Sequence, residues 1–146
     1  MAGLAMSQAY NKELEVIQAV CQDIVSSRKL TESQKTKLAE RFGDRFKNAL
    51  ELVDKRKVKR FRFKPSGRIV WAVKGRKEVY QVIPETNFCN CNDYYFRVMD
   101  GKRALCYHII AQRIASALGR FENSDLRDTQ YAKITQQWRT RSESAP

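Results

Sequence analysis

Three of the four cysteines and the only histidine of this 146-residue chain fall into two close pairs, Cys89-Asn90-Cys91 and Cys106-Tyr107-His108, separated by fourteen residues. Spacing of this kind constrains the backbone strongly. On an extended segment, side chains at i and i+2 point the same way, so Cys89 and Cys91 can converge on one point. On a helix, i and i+2 diverge. Cys106 and His108 therefore cannot both sit inside a helix and are expected where a loop enters one. Three thiolates and an imidazole are the donors of a tetrahedral structural zinc, with bonds of about 2.3 Å to sulfur and 2.0–2.1 Å to nitrogen. One structural Zn2+ held by Cys89, Cys91, Cys106 and His108 is the expectation. It would pin the following helix, and its binding energy would become folding energy, on the order of 10 kcal/mol or more.

Other chemistries fit these residues less well. A catalytic zinc needs an open coordination position, and with the one histidine already used its general base would have to be a carboxylate such as Asp93 or Asp100. A Cys106 nucleophile activated by His108 would need a strained turn and has no orienting group. A redox Cys-X-Cys pair leaves Cys106 and His108 unexplained. Cys21 falls within the apolar stripe of a helix and reads as a small buried hydrophobe. The first residues, Met1 to Ser7, lack the charged and long apolar regions of a secretory signal. A reducing, intracellular setting is thus expected, in which the cysteines are thiols or metal ligands rather than disulfides. No apolar run approaches the roughly 20 residues needed to span a bilayer.

Charge is segregated. Residues 1–54 carry eight basic and eight acidic side chains, and residues 78–146 carry nine and eight. The remaining eleven cations, Lys55, Arg56, Lys57, Lys59, Arg60, Arg62, Lys64, Arg68, Lys74, Arg76 and Lys77, lie in one stretch with no acid between them. Such a run attracts polyanions, and these eleven are the candidate nucleic-acid contacts. An acidic protein surface is the alternative partner.

The fold expected is α+β. A helix over about Ala9–Ser27 carries Leu14, Ile17, Cys21 and Ile24 at three- and four-residue spacing, with Val16, Val20 and Val25 widening the stripe. Thr31 to Gln34 has the capping-box pattern and opens a short helix carrying Leu38 and Phe42. Gly43 interrupts, and Asp44 opens a third helix through Phe46, Ala49, Leu50 and Val53. The period then changes to two. Val58–Lys64 alternates, with Phe61 and Phe63 on the buried face and Arg60, Arg62 and Lys64 on the other. Pro65-Ser66-Gly67 makes a turn, Ile69–Val73 reads as a central strand covered on both sides, and Glu78–Ile83 completes a three-stranded antiparallel meander. Ala104–Phe121 is the zinc-pinned helix, with Gly119 as its stop. Asp125 is expected to cap a C-terminal helix through Tyr131, Ile134 and Trp138, before a frayed tail from Ser142. The units are then an N-terminal helical region (1–54), a zinc-finger domain (55–121) and a C-terminal helix and tail (122–146), packed as one body.

The Cys-X-Cys and Cys-X-His pairs are identified as the signature of a SWIM-type zinc finger. The surroundings resemble the small SWIM subunits of Shu-type complexes: the helix Ala49–Asp54 (Ala-Leu-Glu-Leu-Val-Asp), the turn Pro65–Arg68 (Pro-Ser-Gly-Arg), the strand Tyr80–Val82 (Tyr-Gln-Val) and the apolar helix after His108. The likeness runs over about residues 45–120. It implies a non-enzymatic accessory factor in homologous recombination that pairs with a RecA-like recombinase paralogue and binds single-stranded or branched DNA, with no membrane or small-molecule substrate. It implies a nuclear setting in a eukaryote and a cytoplasmic one in an archaeon. The density of the run Lys55–Lys64 departs from that family's pattern and favours more direct nucleic-acid contact. A protein-interaction adaptor and an RNA-binding zinc module are the competing readings. An enzyme has least support, with no phosphate loop, nucleophile elbow or spare histidine.

Overall fold

The computed structural model describes residues 2–75, 78–91 and 105–144, with side chains between residues 11 and 137 of these segments. Arg76, Lys77, Asp93, Asp100 and Ala104, and the side chains of Trp138 and of the tail, lie outside the described residues. Three helices come first: α1 (Ala2–Ser27), α2 (Glu32–Phe42) and α3 (Asp44–Asp54). The strands β1 (Val58–Lys64), β2 (Arg68–Lys74) and β3 (Val79–Ile83) follow, then a single helical turn (Pro84–Thr86) and the short β4 (Phe88–Cys89). The chain closes with α4 (Tyr107–Leu118), β5 (Glu122–Arg127), a second short turn and α5 (Tyr131–Ser144).

Local sequence explains most of these boundaries. Thr31 Oγ1 accepts the Gln34 N–H at 3.2 Å while Gln34 Oε1 accepts the Thr31 N–H at 2.9 Å, a complete capping box. Its removal is worth about 1 kcal/mol. Gly43 separates α2 from α3 at φ +58°, and Gly119 ends α4 in the left-handed region at φ +73°. Both are conformations a side chain would strain. α1 starts at Ala2, earlier than its apolar stripe requires. Its buried positions are Val16, Ile17, Val20 and Ile24, with Leu14 at the margin. Val25 lies outside the stripe and is 52% exposed, because it sits one helical step beyond Ile24.

The meander β1–β2–β3 is antiparallel, as its turns imply, but it is the middle of a five-stranded mixed sheet ordered β4-β3-β2-β1-β5. Residues 122–127 are a strand, not part of a helix, and pair with β1 in parallel; Phe61 sits opposite Ser124 and Arg62 opposite Asp125. Asp125 therefore caps nothing, and α5 begins only at Tyr131.

Both faces of the sheet are covered. On one face Val58, Trp71, Val73 and Val82 join the helical core, in which α4 is central; Ile109, Ile110 and Ile114 are fully buried there. A helix buried on nearly every side suits a run this apolar. Each of these isoleucines stabilises the fold by about 1.5–3 kcal/mol. On the other face Phe63, Val70 and Ala72 form a second core with Phe61, Val79, Leu126, Tyr131 and Ile134, so α5 is the lid of that face. Phe63 meets the Tyr131 ring edge-on at 5.1 Å. Asp128 fastens the closure by accepting the Ser66 N–H at 3.0 Å and the Ser66 hydroxyl at 2.6 Å. Among the described residues no helix is long and apolar enough to cross a membrane.

Candidate metal centre and basic surface

The four ligands come from two elements at one end of the sheet. Cys89 lies in β4 opposite Val82 of β3, and Cys91 follows just beyond the strand. Asn90 between them turns the other way: its N–H donates to Gln81 O at 3.3 Å and its Oδ1 accepts the Gln81 N–H at 2.9 Å. That double bond to β3 fixes the alternation and sends both thiols to the same side. The tight turn before β4 puts Asn87 at φ +53°. Arg113 of α4 donates to Pro84 O at 3.2 Å and to Asn87 Oδ1, tying that turn to the helix.

Cys106 is the residue before the first turn of α4, in extended conformation (φ −86°, ψ 167°), and His108 is the second residue of the helix. The diverging directions of a helical i, i+2 pair are avoided as the spacing predicts. The imidazole lies between two rings, with centroids 4.0 Å from Tyr107 and 4.5 Å from Tyr80. Its Nδ1 is 3.9 Å from Cys106 Sγ. Among the described residues its buried Nε2 has no hydrogen-bond partner.

All four side chains are buried and their donor atoms lie within 4.8 Å of one another. A small contraction brings them onto one ion at about 2.3 Å for sulfur and 2.0–2.1 Å for nitrogen. The electrostatics point the same way. Burial pushes the Cys89 and Cys106 thiols well above their usual range, while sulfur hydrogen bonds from Cys106 and Cys89 hold Cys91 far below it. The pocket by itself supports one thiolate and resists the others, and a bound dication reverses that resistance. Three sulfurs and one nitrogen fit zinc and complete its tetrahedral shell. Cys21 is elsewhere: its thiol, half-buried, donates to Arg113 O at 3.6 Å, and burial pushes it up to about 11.

One group supporting the centre is not evident from motif reading. Arg45 of α3 bonds Glu13 of α1 at 2.8 and 3.3 Å and donates to Leu105 O at 2.7 Å, one residue before Cys106. Both charged side chains are largely buried. A charge four residues before Ile17 on the apolar stripe of α1, and another four before Ala49 on α3, was the available signal.

The basic run is less uniform in space than along the chain. Lys55 pairs with Glu51 at 2.7 Å, Lys59 with Glu122 at 3.7 Å and Lys64 with Asp125 at 3.2 Å. Arg60 does not stand on an open outer face. It donates to Asn123 Oδ1 at 2.8 Å, and its guanidinium lies 4.8 Å from the Phe121 ring. Arg68 covers the Tyr131 ring at 4.4 Å. Arg56, Lys57, Arg62 and Lys74 have no carboxylate within ion-pair distance among the described residues. Exposed ion pairs such as Lys64–Asp125 contribute at most about 1 kcal/mol, so a polyanion can compete for those cations too.

Buried Cys3His donors on a mixed α+β scaffold define a zinc finger of the structural kind. Among curated proteins the chain is similar to the zinc finger SWIM domain-containing protein 7 homolog of Dictyostelium discoideum, 28% identical over 85 residues, which are 57% of this chain and 54% of that protein. The chain spans about half the length of this relative. No family model matches, and no solved structure does. Ligand pattern, site geometry and relative together support a likeness to SWIM-type zinc-finger proteins.

Proposed function

We propose that the protein is a zinc-stabilised, non-enzymatic DNA-binding accessory factor in homologous recombination that acts beside a RecA-like recombinase paralogue. The observation that carries this reading is the union of a SWIM-type centre with a sequence run, residues 55–77, that holds nearly all the chain's excess positive charge and supplies the first two strands of the sheet. The sequence around the centre, from Ala49–Asp54 to the helix after His108, resembles the small SWIM subunits of Shu-type complexes, and that likeness supplies the recombination context. Zinc has a structural role here: it fastens β4 to the start of α4, while the cations of β1, β2 and their flanks meet phosphates.

Recovery of the tagged protein from its own cells, with zinc retained and nuclease added, tests the partner. A stoichiometric RecA-like ATPase at moderate salt is the expected result. An unrelated acidic partner would replace this reading with the adaptor, which the pairing of Lys59 and Lys64 with Glu122 and Asp125 favours. Nuclease-protected RNA would replace it with an RNA-binding role.

Binding to single-stranded DNA should weaken steeply with salt. If Arg56, Lys57, Arg62 and Lys74 each meet one phosphate, the log–log slope is about −3, from roughly −0.7 per phosphate on a single strand. A salt titration by fluorescence anisotropy reads this directly, and a flat dependence contradicts phosphate contact.

A further inference from the structure

At one corner of the sheet α3 ends in a Schellman motif. The Arg56 N–H donates to Val53 O at 3.1 Å and the Lys57 N–H to Leu52 O at 2.9 Å, which puts Arg56 at the left-handed position, φ +56°. Glycine is usual there, because a side chain is strained in that conformation. The end of α4 has the same two bonds, from Gly119 N–H to Ser116 O at 3.3 Å and from Arg120 N–H to Ala115 O at 2.9 Å, and it does place glycine at the left-handed position. Arg28 takes the left-handed position after α1, but its guanidinium holds α4 by donating to Ala117 O at 3.0 Å. Arg56 has no such task. It is exposed, and among the described residues its side chain has no hydrogen bond, ion pair or ring contact.

A second unfavourable arrangement lies beside it. Lys57 and Lys74 are directly opposed: Val58 pairs with Val73, and in the next position the Lys74 N–H donates to Lys57 O at 2.9 Å. Like charges opposite one another on adjacent strands are destabilising. Neither lysine has a carboxylate within ion-pair distance among the described residues. Both line a recess of about 540 Å3 where the end of α3 meets the starts of β1 and α4 and the end of β2, together with Asn48, Leu52 and Lys55. Lys55 alone of the three lysines is taken, by Glu51 at 2.7 Å. Along β1 the balance is different. There β5 brings Glu122 to Lys59 and Asp125 to Lys64, and Arg60 lies against the Phe121 ring.

Resting on the DNA-binding reading above, we propose that this corner is the main phosphate grip of the protein: the phosphodiester backbone of a DNA strand enters the recess between Lys57 and Lys74, and Arg56 meets the adjoining phosphate. Two features that destabilise the free protein, a left-handed arginine and an opposed lysine pair, stand next to one another in the chain. A bound phosphate gives the arginine a partner and removes the repulsion between the lysines. Contacts of this kind position the backbone and carry no sequence information, so the grip accepts any sequence. The face of β1 contributes less, since Lys59 and Lys64 must first give up Glu122 and Asp125.

Thermal melts and anisotropy salt titrations of the zinc-loaded full chain with a labelled oligo(dT) test this together. Arg56→Gly should melt about 2–4 °C above wild type, because it relieves the left-handed side chain. It should nonetheless weaken binding, moving the log–log salt slope from about −3 to about −2 by the loss of one phosphate contact. Lys57→Gln with Lys74→Gln should melt no lower than wild type and bring the slope to about −1.4, the loss of two. Lys59→Gln with Lys64→Gln is the comparison on the face of β1 and should leave the slope near −3. Higher stability with weaker DNA binding is a combination that a merely structural corner does not give. Corner variants that keep the wild-type slope, or a larger loss from Lys59→Gln with Lys64→Gln, overturn the grip while leaving DNA binding intact. A lower melting point for Arg56→Gly with an unchanged slope overturns it too, and assigns the cation to the end of α3 instead. No binding of oligo(dT) by the wild type overturns the DNA-binding reading and the grip with it.

Discussion

Removal of zinc by a strong chelator is expected to abolish the cooperative thermal transition of this protein, and Cys106→Ser or His108→Ala should do the same in the presence of zinc. The expected loss is on the order of 10 kcal/mol, the scale of structural zinc binding at neutral pH, which exceeds the whole stability of many domains. The architecture gives the reason. β4 has only two residues, and the main-chain bonds to β3 are too few to hold it. Cys106 provides no side-chain hydrogen bond to cap α4. Without the ion, three buried thiols and a buried imidazole remain at the centre of a core that includes Ile109 and Val82. Circular dichroism melts with and without chelator, alongside bound-zinc measurement, check this. Cys21→Ser is the control and should retain both metal and melting point. An unchanged melt after chelation would disprove the structural role of the metal.

Arg45→Ala should destabilise the zinc-loaded protein by about 3–5 kcal/mol, because it removes one partner of a largely buried ion pair. Glu13 is 5% exposed and the Arg45 side chain 12%. The same substitution removes the bond to Leu105 O, the main-chain anchor next to a zinc ligand. Zinc should therefore dissociate faster from Arg45→Ala than from wild type. Urea denaturation with zinc present gives the first quantity, and transfer of zinc to a chromogenic chelator gives the second. Restoring much of the stability with Glu13→Gln added to Arg45→Ala would identify the Glu13 charge as the cause. A loss below about 1 kcal/mol would mean that water reaches the pair and screens it.

The parts of this protein that read directly from sequence are those governed by neighbours in the chain. The ligand spacing requires an extended Cys89–Cys91 and a helix entry at Cys106, and both are found. Thr31 with Gln34 announces α2, and the apolar run Ile69–Val73 announces a strand covered on two sides. Elements that depend on distant partners did not read in this way. β5 is Glu-Asn-Ser-Asp-Leu-Arg, mostly exposed, with only Leu126 packed inward, so it has no alternating apolar signal. Its existence is decided by the open edge of β1. The same pairing brings Glu122 and Asp125 beside Lys59 and Lys64, so the segregation of charge along the chain overstates the segregation on the surface. Glu13 and Arg45 read as ordinary helix charges until the fold buries them together.

The parallel pairing of β1 with β5 also sets an order of events during synthesis. Arg60 and its partner Asn123 are 63 residues apart. At about 5–20 residues per second, the outer edge of β1 waits roughly 3–13 s after it is made before β5 can cover it. In that interval an edge bearing Phe61 and Phe63 is available to a second nascent chain. Arg60, Arg62 and Lys64 alternate with those rings, and Lys59 precedes them. Cations on an uncovered edge oppose strand-to-strand association, so the charge of β1 guards the unfinished chain before it has anything to bind.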